Sequence, residues 1–293
     1  MNSSVKRARR TVGSRSGLRY SALCLLASSF ILLLIACKWS PREAFFHPTV
    51  ERRVAESLAL PPVEPPVVDP DSFRFAVFGD PQVHADGLHR LGRLRADIGP
   101  RRIDFVLVLG DLTHDATAAE NALIRAALDS LDVPWYATVG NHDLYRSDGW
   151  TEFKRLYGAG CKSFLVGGRV RIILFDTASG VIGPTQFDWL VDQLALPGVK
   201  VLGTHYPLYD GGEPVLYRLA SEAERYSLST ILRDARAWGL FSGHIHAFRA
   251  AEAAGVRFIT CGSMAPTLDY GEPGYVLCTF SGNSLRWEFV PVD

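Results

Sequence analysis

The chain has 293 residues, 47% of them apolar, with 31 basic and 31 acidic side chains. That length allows one large core or two small ones. The zero balance is uneven: Lys6, Arg7, Arg9, Arg10, Arg15 and Arg19 precede every acidic residue, so the remainder carries 25 basic against 31 acidic side chains, a net charge of −6. An acidic body is a poor electrostatic partner for a phosphate backbone, which excludes nucleic acid held by bulk charge.

The basic start runs into YSALCLLASSFILLLIAC, residues 20–37, 18 positions without a charge. This is near the minimum for a membrane-spanning helix and also fits a long signal-peptide core. The preceding charges predict a cytoplasmic N-terminus and delivery of everything after Lys38 to the far side of a membrane. Leu34-Ile35-Ala36-Cys37 resembles the lipobox of bacterial lipoproteins; on that resemblance Cys37 becomes the lipid-bearing first residue, and otherwise the segment stays as an uncleaved anchor. Residues 1–37 are therefore expected to be a basic region plus a signal or anchor. Residues 38–72, rich in proline and charge, are expected to be an extended linker. The folded domain is expected over 73–293.

Within that domain short apolar runs alternate with helical patterns. Strands are predicted at 73–79, 104–110, 134–140, 171–176, 199–204 and 239–243, and helices at 87–98, 118–131, 186–196 and 223–236. The alternation predicts an α/β architecture with largely parallel strands. From Ala247 onward four consecutive strand patterns imply a second, more antiparallel sheet. Cys161, Cys261 and Cys278 match no zinc spacing; Cys261 and Cys278 fall in successive predicted strands, where an oxidising compartment would permit a disulfide.

Polar residues follow the apolar runs at regular places. Asp80-Pro81-Gln82 follows the first strand, Asp111 the second, Asn141-His142-Asp143 the third, His205 the 199–204 run and His244-Ile245-His246 the 239–243 run. Glycine precedes the polar group in four of these five places (Gly79, Gly110, Gly140, Gly243), which suits tight turns or close backbone approach. If the strands are parallel neighbours their ends converge on one edge, where open α/β sheets bind ligands. Each group alone has a structural explanation as turn, cap or loop; jointly they point to a functional site.

These blocks, Asp80-x-Gln82, Gly110-Asp111, Gly140-Asn141-His142-Asp143, Thr204-His205 and Gly243-His244-Ile245-His246, resemble in order those of the calcineurin-like metallophosphoesterases. The resemblance implies an α/β fold of two mixed β-sheets forming a sandwich flanked by helices. It implies two metal ions, one held by Asp80, Gln82, Asp111 and His246, the other by Asp111, Asn141, His205 and His244. Imidazole and carboxylate ligands without thiolate suit Mn²⁺, Fe, Zn²⁺ or Co²⁺. The implied reaction is hydrolysis of a phosphate ester, monoester or diester, by a hydroxide bridging the ions, with His142 beside the leaving oxygen and Asp143 orienting its ring. The first block departs from the commoner Asp-x-His, since Gln82 stands in third place and the nearest histidine is His84. The substrate is left open: Tyr145, Trp150, Tyr206 and Tyr209 would stack on a substrate group or pack their loops, and Arg146 or Arg249 would pair with phosphate. The alternative function is a non-catalytic, membrane-tethered metal-binding module.

Overall fold

The computed structural model describes residues 48–83, 88–208, 218–265 and 271–292. The anchor expected at 20–37, Cys37, His84 and Tyr209 lie outside the described residues. Among the described residues no helix is long and apolar enough to cross a membrane.

The strands build two mixed sheets. In the first, β1 (Ser72–Phe78), β2 (Phe105–Leu109) and β3 (Trp135–Thr138) run parallel, and β10 (Gly274–Ser281) and β11 (Ser284–Pro291) extend it antiparallel beyond β1, giving the order β11-β10-β1-β2-β3. The second has the order β4-β5-β6-β7-β9-β8. In it β5 (Val170–Leu174), β6 (Val199–Gly203), β7 (Gly239–Ser242) and β9 (Val256–Thr260) are parallel, and β4 (Lys162–Val166) and β8 (Arg249–Ala253) form antiparallel edges. The C-terminal strands therefore form no sheet of their own, contrary to expectation. β8 and β9 complete the second sheet while β10 and β11 cross to the first, where β10 finds the open side of β1.

Burial on both faces explains why β2 reads as an unbroken apolar run, and why β1 and β5 are interrupted only near their starts, at Arg74 and Arg171. Phe73, Phe75 and Val77 of β1 and Phe105, Leu107 and Leu109 of β2 meet Val170, Ile172 and Leu174 of β5 between the sheets. Ala76, Phe78, Val106 and Val108 face outward against the helical layer of α2 (His89–Arg101), α3 (Ala118–Asp129) and α4 (Gly149–Tyr157). On the other side Ile173 and Leu202 pack with α1 (Val50–Leu58), α5 (Pro184–Ala195) and α6 (Glu222–Asp234). Helix starts are specified locally. Thr117 and Glu120 close a capping box on α3, Ser221 caps α6 and Pro184 opens α5.

The segment expected as a linker over 38–72 is integrated where it is described. Thr49 caps α1, and Val50 and Val54 pack with α5. The Arg53 guanidinium reaches Asp176 with Nε at 2.7 Å and Nη2 at 3.0 Å, both side chains fully buried. Glu56 accepts from Lys154 Nζ at 2.6 Å and Trp150 Nε1 at 2.8 Å, and these partners with Arg52 hold its carboxyl down to about 2. The prolines that follow run extended, yet Val63 and Val68 lie against the inter-sheet core and the Glu64 carbonyl accepts from the Tyr136 hydroxyl at 2.9 Å. Proline content sets the extended path; a few apolar side chains bind it to the body.

Cys161, Cys261 and Cys278 are free, buried thiols. Cys261 follows β9 in one sheet and Cys278 lies on β10 in the other, so they are not on neighbouring strands, and the disulfide weighed for them is not formed.

Candidate metal centre

Parallel β1, β2 and β3 end side by side, as do β6 and β7, and the two sets of ends face each other across the sandwich. Asp80, Asp111 and Asn141 come from the first sheet, His205, His244 and His246 from the second. Close approach of the backbones is required here. A Cβ on Gly140 would lie 2.2 Å from both the amide nitrogen and Oδ1 of Asp111, and one on Gly243 would lie 2.6 Å from Oδ2 of Asp80. Both positions accept only glycine.

Two groups of side chains place ligand atoms within 4.8 Å of one another: Asp80, Asp111 and His246, and Asp111, His205 and His244. Asp111 belongs to both. Gln82 joins the first group, its Nε2 donating to Oδ2 of Asp111 at 3.2 Å. Asn141 joins the second, its Oδ1 2.9 Å from His205 Nε2. All seven residues expected to hold metal thus lie in one cluster, five of them in the two ligand groups and Gln82 and Asn141 hydrogen-bonded to members of those groups.

Five of the seven sit at positive φ: Asp80 (54°), Gln82 (35°), Asp111 (51°), His244 (71°) and His246 (57°). For side chains with a Cβ this region costs about 1–2 kcal/mol per residue, and such strain clusters where function requires a particular aim. Backbone bonds hold the conformations. The Asp80 carboxylate accepts the His244 N–H at 3.0 and 2.9 Å, and Gln82 N–H donates to the Asp111 carbonyl at 2.9 Å.

The donor set fits cations. His205 Nδ1 donates to the Leu109 carbonyl at 2.9 Å, which directs Nε2 inward. That Nε2 lies 3.2 Å from His244 Nδ1 and 3.3 Å from Asp111 Oδ1, so three lone-pair atoms converge on one small space. Gln82 Oε1 is buried with no hydrogen-bond partner among the described residues, although a buried acceptor normally has one. Without cations the charges compensate each other. Burial pushes Asp80 up, and it opposes ionisation of Asp111 as well, but His205 and His142 hold Asp111 well below the ordinary carboxylate range. Burial disfavours charge on His205, yet Asp111 and Asp80 raise it to about 9. A bound cation would take the place of these protons.

His142 belongs to neither group. Its Nδ1 lies 2.7 Å from the His114 carbonyl and its Nε2 3.1 Å from the Tyr145 hydroxyl. Nε2 stands 3.9 Å from Oδ2 of Asp111, at the edge of the cluster. The orienting role expected of Asp143 is not observed: its buried carboxylate accepts from Gly140 N–H at 2.9 Å, Thr113 N–H at 3.2 Å and the Thr113 hydroxyl at 3.3 Å. Asp143 ties the loop after β3 to the loop after β2, and a backbone carbonyl orients the histidine instead. Burial, reinforced by the Asp111 charge, pushes Asp143 up to about 7.

Among the candidates for substrate contact, Tyr145 packs on the His142 ring at 4.2 Å and Tyr206 stacks on His244 at 3.8 Å. Trp150 is instead buried in α4, bonded to Glu56, and serves packing. Arg146 points to solvent beside Asp148. His114 was missed by sequence reasoning; the available signal was its place three residues after Asp111, in the same strand-end loop.

A two-sheet sandwich carrying acids and imidazoles on facing strand ends defines the class of protein. The chain belongs to the calcineurin-like phosphoesterase family, whose model matches residues 73–248. It is 28% identical over 185 residues to a probable cyclic nucleotide phosphodiesterase of Rhodococcus erythropolis, covering 57% of this chain and 60% of that relative, so the match spans less than two thirds of the relative's length. The fold is similar to a dimetal phosphatase from Danio rerio (TM-score 0.64, 14% identity, 75% of this chain and 96% of that one). It is also similar to a purple acid phosphatase from yellow lupin, Lupinus luteus (0.63, 16%, 75% and 51%). A third similar structure is GAP50, the anchor in the inner membrane complex of Plasmodium (0.61, 18%, 75% and 85%).

Proposed function

We propose that the chain hydrolyses a phosphate ester at a centre of two divalent metal ions, Mn²⁺, Fe²⁺, Zn²⁺ or Co²⁺. The carrying observation is the pair of ligand groups that share Asp111. Two ions held this way supply Lewis acidity toward phosphoryl oxygens and a water-derived nucleophile at neutral pH. Asp80, Gln82, Asp111 and His246 would hold one ion, and Asp111, Asn141, His205 and His244 the other.

The protein's own part is positioning and proton handling. The Leu109 carbonyl keeps His205 Nε2 aimed inward, and the His114 carbonyl fixes the His142 ring with Nε2 at the edge of the cluster, 3.9 Å from Asp111 Oδ2. His142 would stabilise or protonate the leaving oxygen. Its position outside both ligand groups favours an enzyme over a metal-binding module without activity. The description of the Rhodococcus relative supports a phosphodiester among the substrates to be tried.

The same proposal includes an anchor at residues 20–37 with the domain on the far side of a membrane. It is supported by the 18 uncharged residues and the six basic ones before them. Replacing Cys37 with serine separates an acylated lipoprotein, which would lose its lipid label, from an uncleaved anchor, which would stay embedded.

The activity is tested with the full chain, metal analysis, and hydrolysis of p-nitrophenyl phosphate, bis(p-nitrophenyl) phosphate and cyclic nucleotides after supply of each ion. About two ions per chain and turnover of at least one ester are expected. No bound metal and no turnover with any of the four ions would overturn the proposal.

A further inference from the structure

Helix α1 precedes the family match at residues 73–248, yet its Arg53 is joined to the second ligand group by continuous contacts. Besides the two bonds to Asp176, Arg53 Nη2 donates to the Ser179 hydroxyl at 3.0 Å and Nη1 to the Pro48 carbonyl at 2.7 Å. Asp176 is further fixed on its backbone, its N–H donating to Gln186 Oε1 at 2.8 Å. The next residue, Thr177, accepts the Tyr206 N–H at 2.8 Å and lies 2.9 Å from the Thr204 hydroxyl. Thr204 in turn lies 2.9 Å from the Phe175 carbonyl.

The ends of this chain set its direction. An N–H can only donate and a carbonyl can only accept, so the order is Tyr206 N–H to Thr177 hydroxyl to Thr204 hydroxyl to Phe175 carbonyl. Thr177 thus grips the residues on both sides of His205; Thr177, Thr204 and His205 are buried and Tyr206 is partly exposed. Tyr206, held by its backbone, stacks its ring on His244. Both imidazoles of the second ligand group are therefore placed through residue 177, and residue 177 is placed by the clamp from α1.

We infer that Arg53, Asp176 and Thr177 are positioning residues for the metal ion held by Asp111, Asn141, His205 and His244, so that α1 is part of the functional domain. This rests on the two-metal proposal above. Partners behind metal-binding histidines set ring orientation, and their loss weakens affinity by about 10–100-fold. A truncated chain starting at Phe73 would leave the Asp176 carboxylate buried without its cation.

The test uses the full chain loaded with Co²⁺, whose d–d absorption reports coordination geometry independently of turnover. Thr177→Val is expected to weaken one of the two Co²⁺ sites about 10–100-fold, alter its absorption band and lower kcat with KM within about twofold. Thr177→Ser, which keeps the hydroxyl, is expected to restore all three. Arg53→Lys, which keeps charge but loses the paired geometry, is expected to shift the same site in the same direction. The double variant Arg53→Met with Asp176→Leu is expected to regain thermal stability without regaining parental Co²⁺ affinity. Parental Co²⁺ affinities and absorption in Thr177→Val, or their full return in the double variant, would overturn the inference and leave the network a stabilising one only. A parent chain that binds no second Co²⁺ would instead sink the two-metal proposal, and the inference with it.

Discussion

Nδ1 of His142 lies 2.7 Å from the carbonyl oxygen of His114, and because a carbonyl only accepts, this nitrogen carries a proton and Nε2 is the one presented to the site. His142 is thus held ready at the edge of the ligand cluster by a neighbour's backbone and not by the acid beside it in sequence. His142→Ala should keep both metal ions and lose about 10²- to 10⁴-fold in kcat. The loss should be smaller for nitrophenyl esters than for alkyl esters, whose leaving oxygens need protonation more. Parallel metal analysis and kinetics on both ester types check this.

Asp143 should behave differently from its neighbour. Asp143→Asn keeps the shape but turns an N–H group toward either Gly140 or Thr113, so one buried donor loses its acceptor. A loss of about 1–3 kcal/mol in unfolding free energy is expected, with unchanged dependence on the leaving group. Denaturant unfolding and a leaving-group series measure the two effects separately.

Gln82 and Asp111 should differ in depth. Gln82→Ala removes one neutral ligand from one ion, so the activity lost should return in part with excess metal. Asp111→Ala removes the carboxylate common to both groups and should abolish binding of both ions at any practical concentration. Equilibrium dialysis against Mn²⁺ or Co²⁺ distinguishes the outcomes.

Gly140→Ala should be as damaging as losing a ligand, because its Cβ would meet the amide and carboxylate of Asp111 at 2.2 Å. At least about 2 kcal/mol of stability should be lost together with metal binding. Calorimetry with and without added metal provides the check.

Lys162 offers a pH test away from the site. Its amine is buried and bonded to the Ala137 carbonyl at 2.7 Å, and burial lowers it from 10.5 to about 8. The unfolded chain therefore binds the proton more tightly than the folded one. Stability attributable to this residue should rise between about pH 8 and 10.5, by roughly 3 kcal/mol at most. Lys162→Met should flatten that slope in unfolding measured across the range.

Much of the site was legible from short stretches. Largely apolar runs mark strands buried on both faces, and a glycine followed by Asp, Asn or His marks four of the five strand ends, so all seven metal-site candidates could be named from local pattern and family resemblance. What local pattern could not carry were the partners across the fold. Asp143 stands next to His142 in the chain yet bonds to Gly140 and Thr113, and the carbonyl that orients His142 belongs to a residue 28 positions earlier. Cys261 follows β9 and Cys278 lies on the next strand, β10, but in separate sheets, because β10 pairs with β1 about two hundred positions away. Arg53 stood in a segment whose prolines suggested a spacer, and only its meeting with Asp176, 123 residues on, makes it part of the domain. Periodicity and turn chemistry act over a few residues and are written in sequence order. Sheet order, burial of a charge and the direction of a hydrogen-bond chain depend on which distant segments meet, and that is decided only when the two sheets close on each other.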